Sequence, residues 1–132
     1  MKKLLLLTTV SLLLIFAACK KETTVTYTAN TQITGYWPAL YGYGTAVPTS
    51  ACSVLFRADG TMRIYIGADS AAAVKGEGVY NISEGKLVFW YKHLTDAGEY
   101  TFASVLADKT FTGTWGNGQL SSGAGLFSMT IK

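Results

Sequence analysis

"ACSVLFRADGTMRIYIG", Ala51–Gly67, decides the fold class. Cys52, Val54 and Phe56 recur at every second position, and so do Met62, Ile64 and Ile66. A period of two places each trio on one face of a strand. Asp59-Gly60 lies between the two runs. Both of its residues accept positive φ, so the pair predicts a two-residue hairpin turn between antiparallel strands.

The same pattern continues in both directions. Tyr100, Phe102 and Leu106 share a face, as do Phe111 and Trp115, then Phe127, Met129 and Ile131. Thr, Ser, Lys and Glu fall opposite them, as expected for a sheet wet on one side. Alternation predicts strands near 32–37, 51–57, 61–67, 76–82, 86–92, 99–106, 109–115 and 125–131. Glu84-Gly85 predicts a second tight hairpin, and "LTDAGE" and "ADK" two further connections. Pro38 is expected to end the first strand and Pro48 to approach the second. Turn signals at this spacing point to an all-β antiparallel up-and-down meander of about eight strands, closed as a barrel or folded as a sandwich. Gly78 and Gly113 fall on inward positions, which either permits strong coiling or leaves internal space. "LVFWY", Leu87–Tyr91, is apolar on both faces, so its outer side is either covered or presents a patch.

The N-terminus carries a different message. Lys2 and Lys3 precede an apolar run, Leu4–Phe16, that is shorter than the roughly 20 residues of a spanning helix. Ala17, Ala18 and Cys19 follow, completing the anatomy of a secretory signal. Ending on Cys resembles the lipobox of bacterial lipoproteins, with Phe16 standing where Leu is usual. That resemblance implies cleavage after Ala18 and lipidation of Cys19, and the acyl chains would anchor the protein in a membrane. The expected organisation is a signal helix over 1–18, a lipidated Cys and polar flexible tether over 19–31, and a β-barrel domain over 32–132. The expected location is the bacterial cell envelope, at the outer membrane in preference to the inner, facing the periplasm or the surface. Cleavage would remove Lys2 and Lys3 and lower the net charge of +3 by two. Nothing then favours nucleic acid as a partner.

Gly35-Tyr36-Trp37 is similar to the Gly-x-Trp signature that opens lipocalins. Gly113-Thr114-Trp115, followed by "GLFSMTIK", resembles the closing hairpin of small bacterial lipocalin-like lipoproteins. The resemblance covers roughly residues 32–132. It departs from the ordinary lipocalin in lacking a C-terminal helix and in offering only Lys132 where that family carries an Arg. It implies an eight-stranded lipocalin-like barrel, a structural Trp37 across its closed end, and a small apolar ligand at its open end.

Catalytic chemistry finds little support in the residues. His93 is the sole histidine and stands at a strand end, where a solvated loop residue is the plain reading. Cys52 shares a face with Val54 and Phe56 and reads as a small buried hydrophobe. Glu77 reads as an outward, solvated strand residue. No spacing of His, Cys and carboxylates makes a zinc or calcium site, so no metal or cofactor is expected. The sequence does hold three Trp, eight Tyr and six Phe. Rings with polar tips suit half-wet binding sites. Tyr36, Tyr41, Tyr43, Tyr65 and Trp90 are the ones alternation does not send straight to the core. The expected ligand contacts are Tyr41 and Tyr43, in a lid-like loop after the first strand, with Tyr36 and Trp90. The sequence thus predicts a monomeric, non-enzymatic, membrane-anchored barrel that takes a small apolar or amphipathic ligand. The alternative is a solid barrel whose exterior docks a protein or glycan.

Overall fold

The computed structural model describes residues 33–131. The signal, Cys19 and tether expected from the sequence lie outside the described residues. Eight strands follow in order: β1 Gly35–Tyr43, β2 Ser50–Phe56, β3 Thr61–Tyr65, β4 Lys75–Ser83, β5 Lys86–His93, β6 Glu99–Ala107, β7 Thr110–Asn117 and β8 Gly125–Thr130. Each pairs antiparallel with the next, and β1 closes the ring against β8 with Ala39 opposite Met129. The expected all-β up-and-down meander is therefore a closed barrel, not a sandwich. Closure gives every strand a partner on both sides over at least part of its length.

The two ends of the barrel differ in their connections. One end is closed by the short links 57–60, 84–85 and 108–109, while the other carries the longer links 44–49, 66–74, 94–98 and 118–124. Glu84 and Gly85 both have positive φ, as a two-residue hairpin turn requires, and so do Asp108 and Lys109. Asp59-Gly60 does not form the expected two-residue turn. Only Gly60 has positive φ, and the Arg57 N–H donates to the Thr61 carbonyl at 2.9 Å across a longer connection. Asp59 instead accepts from the Thr61 N–H at 2.9 Å, which favours a turn followed by a glycine bulge.

Pro38 does not end β1, contrary to expectation. It pairs with Ser53 of β2, but the ladder to β8 starts only at Ala39. At Pro38 the strand still has a free side, where a missing N–H costs no ladder bond. β1 therefore runs on to Tyr43, and the stretch expected to be a loop is mostly strand.

Packing fills the closed half. Ile33, Val54, Phe56, Met62, Ile64, Tyr80, Leu87, Phe89, Phe111, Phe127 and Met129 are essentially inaccessible to solvent. Each such aliphatic or phenyl side chain contributes roughly 1.5–3 kcal/mol on burial. The Trp37 Nε1–H donates to the Ile33 carbonyl at 2.7 Å, tying the entering chain to β1 at this end. The buried Tyr80 hydroxyl donates to the Arg57 carbonyl at 2.8 Å. Leu106, expected inward, is 36% exposed beside the 84–85 turn, where its N–H donates to the Gly85 carbonyl at 2.8 Å.

Gly78 and Gly113 answer the question of coiling or space. A Cβ on Gly78 would lie 1.8 Å from the Trp90 carbonyl oxygen, and one on Gly113 would lie 1.9 Å from that of Ala103. Neighbouring backbone occupies both places, so the glycines permit close approach of strongly coiled strands.

Candidate functional site

A cavity of about 270 Å³ occupies the end of the barrel that bears the long connections. Phe102 marks its floor. That ring stacks on Phe89 on one side (4.7 Å, 10°) and on Trp115 on the other (5.8 Å, 13°). Tyr41 and Tyr43 from β1, Tyr91 and His93 from β5, Tyr100 from β6 and Trp115 from β7 form the aromatic wall. Cys52, Ile64, Ile66, Asn117 and Ala124 complete the lining. Because the inner face of each strand is every second residue, these side chains gather at inward positions near the strand ends and just beyond them.

Trp115 fixes the shape of this wall. Its Nε1–H donates to the Gly42 carbonyl at 3.0 Å, and Tyr41, Tyr43 and Tyr100 approach it edge-on at 6.2, 5.4 and 5.9 Å. The absence of a Cβ on Gly125 makes room for this arrangement. A Cβ there would lie 2.5 Å from the indole nitrogen and 1.8 Å from the Gly42 oxygen.

Polar tips converge on an otherwise apolar space. Burial raises the Tyr41 hydroxyl above the ordinary phenol range, with the Tyr43 hydroxyl adding to the effect. Burial also raises Tyr91 strongly, helped by Cys52 and Tyr100. The Cys52 thiol is pushed up to about 12 by burial, which keeps it protonated and unreactive. Cys52 is thus the small buried hydrophobe that its strand position implied.

His93 departs from its expected place. It continues the inward series Leu87, Phe89 and Tyr91, and its side chain is only 11% exposed. Its ring packs 4.9 Å from Tyr100 and 5.5 Å from Tyr91. The 94–98 connection folds back beneath it: the His93 N–H donates to the Gly98 carbonyl at 2.8 Å, and Asp96 Oδ1 accepts from the Gly98 N–H at 2.9 Å. That Gly98 N–H and then the His93 ring hold Asp96 below the ordinary carboxylate range, against the opposing effect of desolvation. His93 Nδ1 meets the same Oδ1 at 3.0 Å. An ionised carboxylate only accepts hydrogen bonds, so Nδ1 carries the hydrogen. His93 Nε2 is buried and has no hydrogen-bond partner among the described residues.

The residues expected to contact ligand divide into two pairs. Tyr41 and Tyr43 both line the cavity, from the strand and not from a lid. Tyr36 and Trp90 are corrected to the outer wall, since each falls one position out of phase with the inward set. The Tyr36 hydroxyl donates to Ser53 Oγ at 2.6 Å, and its ring lies 6.0 Å from that of Tyr65, itself buried on the outside. Trp90 sits between Val79 and Thr101 on neighbouring strands, beside a 42% exposed Val88. The outer side of "LVFWY" is thus a partly exposed patch among the described residues. Glu77 is outward as expected, but it is paired with Arg57 (3.1 Å) and with Arg63. Partial burial works to raise its carboxyl, and the two guanidinium groups together hold it below the ordinary range.

Among the described residues, no group of three or more His, Cys, Asp or Glu could hold a metal ion. No family model matches the chain, and no curated protein matches it. Among solved structures, a mutant of the fluorescent protein UnaG is similar to this chain, with 15% sequence identity and a TM-score of 0.41 over 76% of this chain and 96% of that one.

Proposed function

We propose that this chain is a membrane-anchored, non-enzymatic binding protein whose barrel takes one small aromatic or amphipathic molecule at its open end. The observation that carries the reading is the divided interior, with a packed closed half and an aromatic cavity above the Phe102 floor. At about 270 Å³ the cavity lies just under the roughly 300 Å³ at which ordinary ligand pockets begin. It is still well above the ~150 Å³ apolar cavity that holds a benzene. A one- or two-ring molecule therefore suits it, and a long acyl chain does not. Aromatic faces would supply contact area, and the Tyr hydroxyls and His93 would orient a polar group. The high thiol of Cys52 supports a binding role over a nucleophilic one. Anchoring through lipidated Cys19 would hold the barrel at a bacterial envelope membrane, with the ligand taken from the adjoining aqueous space.

Native mass spectrometry tests the ligand directly. After incubation with a bacterial small-molecule extract, the protein should carry a one-to-one adduct of a one- or two-ring compound. A protein that stays unliganded across polar and apolar extracts would overturn the binding role. The exterior docking alternative rests on the Val79, Val88 and Trp90 patch, and a partner that shifts Trp90 while leaving Trp115 unaffected would favour it.

A further inference from the structure

We propose that the cavity selects small aromatic molecules bearing a hydroxyl group, which donates its hydrogen bond to His93 Nε2. The inference rests on the binding role above and specifies the ligand's chemistry. Three observations converge on it. The Asp96 carboxylate fixes the hydrogen on Nδ1, so Nε2 of the neutral ring is an acceptor. That acceptor is buried and without a partner among the described residues. Its side chain lines a cavity whose other walls are mainly aromatic, so a modest shift of the imidazole brings this covered atom to a bound molecule.

An unmet buried acceptor carries a penalty that a ligand donor removes. A wholly apolar ring would leave that penalty in place. An aromatic carboxylate fits worse, because the lining contains no Lys or Arg and Asp96 already stands on the far edge of the imidazole. Burying a second carboxylate without a cation is costly. A neutral hydroxyl meets both conditions. Asp96 acts in this scheme as a positioning residue, since it sets which ring nitrogen is free.

The test uses three probes of matched size, 2-naphthol, 2-methylnaphthalene and 2-naphthoate, titrated into the purified protein at pH 8 by calorimetry. 2-Naphthol should bind about tenfold more tightly than 2-methylnaphthalene, the ratio that about 1.4 kcal/mol represents. 2-Naphthoate should bind more weakly than 2-naphthol. His93→Phe should bring the ratio of the 2-naphthol to 2-methylnaphthalene affinities close to one, and His93→Gln, which restores an acceptor, should recover part of it. Asp96→Ala should shrink the same affinity ratio. Equal binding of 2-naphthol and 2-methylnaphthalene by the unaltered protein would overturn the hydroxyl selection and leave the cavity's binding role standing. Preference for 2-naphthoate would overturn it too, by showing the ring acting as a donor. Failure of all three probes to bind would remove both readings together.

Discussion

Replacing Trp115 by Phe removes one buried hydrogen bond and part of one ring, and both losses can be estimated from the structure. The indole nitrogen donates to the Gly42 carbonyl at 3.0 Å inside a side chain that is only 6% exposed. Loss of such a bond costs about 1 kcal/mol, and more if the carbonyl is left without another donor. The missing ring edge leaves roughly 35 Å³ of void, and at about 24 cal/mol per Å³ this adds close to 1 kcal/mol. A total near 2 kcal/mol should lower the midpoint of thermal unfolding by roughly 8–16 °C in a domain of this size. Circular dichroism melting gives the shift, and urea titration gives the free energy. Trp90→Phe provides the comparison, because it makes the same chemical change on the outer wall, where the indole makes no hydrogen bond among the described residues. That variant should cost under about 0.5 kcal/mol, as surface substitutions generally do. Equal effects at the two positions would refute the assignment of Trp115 to a packed cavity wall and Trp90 to the outside.

Two further perturbations bear on the fold and on the buried thiol. Gly78→Ala and Gly113→Ala each drive a methyl group into the carbonyl of the adjacent strand, so each should cost more than about 3 kcal/mol or prevent folding, beyond the usual cost of overpacking; near-native denaturant midpoints would contradict the close strand approach. Cys52 has an ordinary value of 9.0 and is raised to about 12 in the folded chain, so the unfolded thiol ionises first as pH rises. Its contribution to stability should be complete below pH 9.0 and be lost progressively toward about 12, and urea midpoints measured across that window should fall less steeply in Cys52→Ala.

Most of the barrel was legible because period-two alternation is a local property of each strand. The inward sets around Val54, Ile64, Phe102 and Phe127 follow from it directly. β1 was harder to delimit, since whether Pro38 breaks a strand depends on which neighbour reaches it. β8 runs out at Ala39, a fact of long-range register that no local pattern contains. Tyr41 and Tyr43 are rings that alternation leaves unassigned, and they line the cavity, whereas the same alternation points Tyr36 and Trp90 outward. His93 was missed for a related reason. Its phase with Leu87, Phe89 and Tyr91 was readable, but its place at the strand end suggested solvent. The fold-back of 94–98 that covers it depends on Asp96 and Gly98 meeting across a turn. The volume above Phe102 is set by eight strands together and had no sequence signature.

The three tryptophans offer one measurement that reports on the whole account, since Trp37 marks the closed end, Trp90 the outer wall and Trp115 the cavity. In a ¹⁵N-correlated proton spectrum each indole N–H gives a separate signal. Titration with 2-naphthol should move the Trp115 signal in a saturable manner while those of Trp37 and Trp90 stay in place. Movement confined to Trp90, or no movement at any of the three, would contradict a ligand site inside the open end of the barrel.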